Sequence, residues 1–330
     1  RTLSLSLRAG SIRQRGNLSY IIPRPWGTDF STVLSFTVDN EERVSRDRDE
    51  IQINVRPYDS FRVSGSVQAE KTLSQRESLF ARYRYEEVDL TIPENLESPV
   101  QFFREENTSV SALSLSYLNE SRDNPSDPSD GFFLNGEADL ATGLFGSQER
   151  YFSLLTQGRY YYPLFPDLTL VAALRIGMIH PFDGRGPDDS NPVTISERFF
   201  AGGPSTLRGL PLDLAGPLLT NEETGEVILV GPEDDQVPVP LGGNGLVVGN
   251  LEFRFPIMRY FGGVLFFDVG NVFDKFSDVI GTDYSSAAGL GLSINTPIGP
   301  VRLDAAYNPS PPKYPGFQRW NFHINIGHPF

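Results

Sequence analysis

The chain has 330 residues, contains no cysteine, and carries a formal net charge of −14 with a hydrophobic content of 39%. The missing cysteine excludes disulfides and thiolate sites, and the negative charge argues against nucleic acid as a partner, because phosphate binding needs clustered Lys and Arg. The longest apolar run, 168–179, is interrupted by Arg175 and is too short for a spanning helix. These properties exclude a helical membrane protein but allow a membrane β-barrel, whose alternating strands average to mild hydropathy.

Short stretches of alternating apolar and polar residues, bounded by turn residues, recur along the chain and predict strands. We count fourteen spanning strands. A further stretch, 51–55, is interpreted as the outer part of a hairpin. The predicted strands cover 3–8, 18–22, 32–39, 61–68, 79–90, 113–117, 133–140, 151–162, 168–179, 247–255, 263–272, 287–295, 301–308 and 320–326.

Alternation in the C-terminal strands assigns apolar residues to one face and polar residues to the other. In 247–255 the polar face carries Asn250, Glu252 and Arg254, and in 263–272 it carries Asp268. An apolar outer face and a polar inner face are what a water-filled membrane barrel requires. The sequence therefore predicts an all-β fold: one transmembrane antiparallel β-barrel domain over residues 1–330.

A long segment, 181–245, separates the two groups of strands. Loops of that length without structure of their own are usually functional. The segment contains FFAGGPSTLRGL at 199–210, in which Gly202 and Gly203 allow a tight backbone path. We expect this external loop to fold back into the barrel lumen and Arg208 to anchor it there.

Several motifs together resemble the BamA/TamA superfamily of outer-membrane insertases and transporters. FFAGGPSTLRGL resembles the sixth-loop motif of that family, and GNLEFRFPI (249–257) and FFDVGNVFD (266–274) resemble its next two strands. GPVRLDAAY (299–307) and FHINIGHPF, which ends at Phe330, resemble its last two strands and C-terminal signal. The resemblance is strong over 151–330 and thinner before it.

The resemblance implies a sixteen-stranded barrel preceded by periplasmic POTRA domains. This chain lacks POTRA domains and about two strands, and N-terminal trimming explains this more simply than a smaller barrel. The implied function is ATP-independent insertion or translocation of β-barrel polypeptides in a bacterial-type outer membrane, with the C-terminus in the periplasm. The implied partners are unfolded outer-membrane β-barrel polypeptides, outer-membrane lipids, and accessory lipoproteins recruited through the missing POTRA domains.

The same resemblance assigns roles to individual residues. The loop arginine of the family pairs with acidic residues on the barrel wall, so Arg208 is expected to meet Glu252 and Asp268. The loop anchor comprises Arg208, Gly209, Leu210, Gly202 and Gly203, and its wall partners are Glu252, Asp268 and Gly270. The C-terminal signal and seam comprise Phe322, Ile324, Ile326, Gly327 and Phe330.

Other functions remain open at this stage. Within the superfamily, the chain could be a two-partner secretion transporter; outside it, a passive porin or a soluble two-domain β protein. A porin predicts an open lumen without an arginine anchored at Glu252 and Asp268. The chain has three histidines and no G-x-S-x-G motif, so we expect no enzyme activity, no cofactor and no metal site.

Overall fold

A computed structural model describes residues 1–10, 13–41, 59–91, 106–183, 191–221, 224–230, 237–281, 284–296, 299–312 and 317–326. Its main feature is one antiparallel sheet of fourteen strands that follow each other in chain order. The all-β fold and the strand number are as predicted, whereas stretch 51–55 lies outside the described residues. The strands are β1 (Thr2–Ala9), β2 (Arg13–Ile22), β3 (Ser31–Glu41), β4 (Asp59–Thr72), β5 (Glu77–Thr91), β6 (Glu106–Glu120), β7 (Gly131–Ala141), β8 (Tyr151–Phe165), β9 (Leu168–Pro181), β10 (Leu229–Val230), β11 (Val237–Pro238), β12 (Gly245–Met258), β13 (Phe261–Phe273), β14 (Ser285–Thr296), β15 (Gly299–Tyr307) and β16 (Trp320–Ile326).

Helical structure within the described ranges consists of single 3₁₀ turns at Pro25–Gly27, Gly143–Phe145, Ile195–Glu197 and Phe276–Val279. No helix of the described residues is both long and apolar enough to cross a bilayer. The short strands β10 and β11 pair with each other as a separate ribbon inside the long loop. Strands β1 and β16 stand at the two ends of the hydrogen-bonded order.

The two faces of the sheet differ in exposure as the alternation predicts. On β13, Leu265 and Phe267 are 45% and 46% exposed, whereas Asp268, the residue after Phe267, is fully buried. The register sets Asn250 of β12 opposite Asp268 of β13, so that their side chains share the inner face. An exposed apolar outer face with a polar inner face suits contact with lipid outside and polar groups inside.

Contacts of the long loop show how the sheet is curved. Arg84 on β5 donates to Glu197 (3.2 Å), and Asn321 on β16 donates to the carbonyl oxygen of Gly209 (3.0 Å). Nine strand spacings separate β5 from β16, which would be about 43 Å in a flat sheet. The chain between Glu197 and Gly209 would reach about 43 Å only if it were fully extended. It contains consecutive turns, so its ends are much closer together than a flat sheet would require. The sheet is therefore rolled around the loop, which occupies its interior.

The ends of the rolled sheet carry different connections. At one end lie the short turns 166–167 and 259–260, together with 23–30 and 73–76. The long loop leaves β9 at Pro181 and returns to β12 at Gly245, both at the opposite end. The loop residues of the candidate site are therefore brought into the interior from that end, whereas their partners lie on the strands of the wall.

The hydrophobic core of the long loop was not anticipated from the sequence, which shows little hydrophobic pattern over 181–245. The apolar residues of the loop form a core inside the rolled sheet, where Leu207, Leu210 and Ala215 pack against Val248 and Val272 of the wall. Periodicity failed to predict this core because the loop reaches it through irregular turns, which give buried positions no fixed spacing.

Candidate functional site

The tip of the loop is a closed turn that begins at two glycines. Gly202 adopts φ +119° and Gly203 adopts φ +82°, conformations that side chains with a Cβ rarely take. A Cβ on Gly202 would lie 2.3 Å from the carbonyl oxygen of Pro211. The backbone N–H of Gly203 donates to the carbonyl oxygen of Leu210 (2.9 Å) and closes the turn. This geometry projects Arg208 from the turn towards the wall.

Arg208 is fully buried and contacts both carboxylates expected from the sequence. It donates from Nε and Nη2 to Oδ2 and Oδ1 of Asp268, at 2.7 and 2.5 Å. Its Nη1 donates to Oε1 of Glu252 (2.6 Å), and its backbone N–H donates to Asp268 Oδ2 (3.1 Å). The two-pronged contact with Asp268 uses the planar fork of arginine, which lysine does not have.

An aromatic ring covers the flat face of the same guanidinium. The Cζ atom of Arg208 lies 3.6 Å from the ring centroid of Phe266, within range of a cation–π contact. Burial acts to lower the pKa of Arg208, but the hydrogen bond to Asp268 and the charges of Asp268, Glu252 and Asp304 raise it above its ordinary value. Arg208 therefore stays charged in the interior.

A second buried arginine at this site, Arg302 on β15, was not anticipated from the sequence. Arg302 donates to both oxygens of Glu252 (2.8 and 3.1 Å) and from Nε to Asp304 Oδ1 (2.6 Å). Arg254 of β12 donates to Glu252 Oε2 (2.9 Å). Together Arg208, Arg254 and Arg302 balance the three carboxylates of Glu252, Asp268 and Asp304. The formal charges of this anchor cluster therefore sum to zero.

Polar wall residues also bind the backbone of the loop tip. Asn250 donates to the carbonyl oxygen of Thr206 (2.7 Å), and Asn308 and Asn321 donate to that of Gly209 (3.2 and 3.0 Å). The Nε2 atom of His323 lies 2.8 Å from the carbonyl oxygen of Arg208. Buried carbonyl groups need such partners. The wall from β12 to β16 therefore binds the loop through hydrogen bonds to its backbone as well as through charged side chains.

The other predicted anchor residues lie close to this cluster. Leu210 is 1% exposed and packs in the loop core. Gly209 is pressed against β14, where an added Cβ would lie 2.4 Å from that of Ala287. Gly270 lies two residues beyond Asp268 on β13, opposite Val248.

The predicted C-terminal residues occupy a different place. Phe322 and Ile324 are each 76% exposed on the outer face of β16, which ends at Ile326. Gly327 and Phe330 lie outside the described residues. Phe322 and Ile324 thus face away from the anchor cluster, while the inward residues of the same strand, Asn321 and His323, contact the loop.

The fold of this chain is similar to that of two solved structures. The structure is similar to the crystal structure of BamA from Haemophilus ducreyi lacking POTRA domains 1-3, with a TM-score of 0.74 and 18% identity over 99% of this chain and 64% of that chain. It is also similar to CdiB from Acinetobacter baumannii, with a TM-score of 0.55 and 15% identity over 96% of this chain and 50% of that chain. Both similarities show the fold alone, a β-barrel.

Sequence comparison agrees with the structural one. The chain is 28% identical over 186 residues to the SAM50-like protein CG7639 of Drosophila melanogaster. The aligned region covers 56% of this chain and 38% of that protein. The chain thus spans less than two thirds of the length of each of these relatives. The Omp85 superfamily domain matches residues 1–330. The chain therefore belongs to the Omp85 superfamily.

Proposed function

We propose that this chain is the barrel of an outer-membrane assembly factor that inserts β-barrel polypeptides without ATP. The observation that carries the proposal is the anchor cluster, in a chain whose whole length matches the Omp85 superfamily. The barrel spans a bacterial-type outer membrane with its short turns and C-terminus in the periplasm. The proposal includes no enzyme activity and no cofactor, since the described residues of the anchor cluster act by positioning the loop.

The anchor cluster fixes the loop tip to one part of the wall. Each partner is taken out of water, so removing one member leaves an uncompensated buried charge, which is strongly destabilising. The loop tip is therefore held in one position against the inner face of β12 to β16. A client polypeptide then meets a barrel whose last strand is held in place from the inside.

A client strand would pair at the edge of β16. Unpaired strand edges present a row of backbone donors and acceptors that template a new strand. The outer residues Phe322 and Ile324 present apolar surface beside that edge, where a client hairpin and lipid chains would both find contact. The clients are unfolded outer-membrane β-barrel polypeptides, and accessory lipoproteins would bind through POTRA domains outside this chain.

An assay of client insertion into proteoliposomes tests the proposal directly. We would reconstitute the intact protein and follow folding of a small outer-membrane β-barrel polypeptide by its heat-modifiable migration. Arg208→Gln should reduce the insertion rate about tenfold or more, the scale of one lost hydrogen bond to a charged group. The control is Arg150→Gln, because Arg150 pairs with Asp183 at an exposed position and should have no effect. An unchanged rate for Arg208→Gln in a folded barrel would refute the proposal.

Two alternatives have distinct outcomes in the same vesicles. A passive porin has no use for an arginine held at Glu252 and Asp268, so the anchor geometry speaks against it. A two-partner secretion transporter would carry an unfolded secreted polypeptide into the vesicle interior and leave client insertion at the rate of empty liposomes. Observing that pattern would replace insertion by secretion as the function.

A further inference from the structure

The loop carries a second charged residue that the wall encloses, Glu197, eleven positions before Arg208. Its side chain is only 9% exposed. Glu197 Oε2 accepts hydrogen bonds from the hydroxyl of Tyr151 (2.6 Å) on β8 and from Nη2 of Arg84 (3.2 Å) on β5. These partners belong to a different part of the wall from the strands that hold Arg208.

The charges around Glu197 form a connected network on the wall. Arg84 also donates to Oε2 of Glu86 (3.1 Å), and Arg62 on β4 donates to Oε1 of Glu86 (3.2 Å). Arg84 thus faces Glu86 of the wall and Glu197 of the loop, and Asp139 on β7 also acts on it electrostatically. Without Glu197, Arg84 would lose a carboxylate partner in a largely enclosed position, which is unfavourable.

Packing on both sides of Glu197 supports the same arm of the loop, residues 191–200. Ile195 packs with Val88 and Leu90 of β5, and Val193 packs in a cluster that includes Tyr151. Burial acts to raise the pKa of Glu197, but the charge of Arg84, the hydroxyl of Tyr151 and the charge of Arg62 hold it below its ordinary value. The carboxylate is therefore ionised in the folded protein.

We propose that Glu197 is a second anchor of the loop, opposite in sign to Arg208, that positions residues 191–200 against β5 and β8. The loop is then fixed at two separate points on the wall. A charged segment of a client could compete with the wall for one of these anchors, but a segment of one sign could not displace both. The inference deepens the proposed function, on which its consequence for clients rests, and it makes Glu197 a positioning residue.

The absence of cysteine from the chain permits a local test. Ser196→Cys places a thiol where the present hydroxyl oxygen is buried without a hydrogen-bond partner. Ala215→Cys places one in the loop core beside Leu207, at a residue that is 3% exposed. The rate of labelling by a maleimide then reports release of residues 191–200 and of the loop core separately, with the intact protein in bilayers and no client present.

We expect Glu197→Gln to raise the labelling rate at S196C about tenfold or more, the scale of one lost hydrogen bond to a charged group. The rate at A215C should change less than about twofold, because the Arg208 anchor remains.

Two results would overturn the proposal: an unchanged rate at S196C in a folded Glu197→Gln barrel, or an equal rise at both reporters. If Glu197→Gln does not fold, Tyr151→Phe removes one hydrogen bond and keeps the ring. A several-fold rise at S196C in that variant supports the anchor, and no rise overturns it. Because no client is present, failure of this test is distinct from failure of the insertion assay.

Discussion

Arg302 provides the most demanding test of charge balance in the barrel interior. Arg302→Met preserves much of the side-chain length and removes three hydrogen bonds to Glu252 and Asp304. Two arginines would then face three carboxylates, and the side chains of all three carboxylates are fully buried. Breaking a buried ion pair by removing one partner costs roughly 3–5 kcal/mol. We expect the free energy of unfolding to fall by about that amount.

The assay is urea unfolding of the barrel in lipid, followed by tryptophan fluorescence and by heat-modifiable migration. The matched variant is Arg302→Met with Asp304→Asn, which restores neutrality. It should recover at least about half of the loss, because Asp304 Oδ2 has no hydrogen-bond partner to lose and neighbouring substitutions are coupled. If Arg302→Met lies within about 1 kcal/mol of the parent, below the range for a broken buried pair, the reasoning from charge balance is refuted.

Three further predictions concern the loop and the outer wall. Gly209→Ala should loosen the loop by about 1–3 kcal/mol because its Cβ would lie 2.4 Å from that of Ala287, and Ala287→Gly should rescue it in the same unfolding assay. Because the pKa of Glu197 is lowered on folding, its anchor should be complete above the unfolded value of about 4.3 and lost as pH falls further. The labelling rate of S196C, divided by that of the unfolded chain at the same pH to remove the thiolate dependence of the reaction, should therefore be constant from about pH 8 to 5 and rise only in stronger acid. Phe267→Arg on the outer face should cost about 2–4 kcal/mol in lipid, and no cost in lipid would contradict the assignment of that face.

The sequence was sufficient for the strands and for the wall side of the anchor. Period-2 alternation places Glu252 and Asp268 on the inner face whatever the rest of the chain does, since successive side chains in a strand point to opposite faces. The same argument applied to 301–308 would have placed Arg302 and Asp304 inward. What alternation cannot give is the distance between strands that are not neighbours, so the bond from Arg302 to Glu252 was not predictable from it.

The loop side of the site was less accessible to sequence reasoning. Arg208 was identified through a motif, whereas Glu197 lies two residues before that motif and its partners are on β5 and β8. The path of an irregular segment depends on which polar and charged groups of the wall still need a partner. Those groups are known only from the three-dimensional arrangement of the sheet. Buried charges in such a loop are a useful signal, because they need partners of opposite sign.

The most direct test of the central claim is a double-mutant cycle between Arg208 and Asp268. Arg208→Gln, Asp268→Asn and the pair would be compared by maleimide labelling of A215C in bilayers. If the loop is held by this buried pair, the two single variants and the double variant should release the loop core to a similar extent, with a coupling energy of about 2 kcal/mol or more. Additive effects, with a coupling energy below about 0.5 kcal/mol, would contradict the claim that this ion pair fixes the loop inside the barrel.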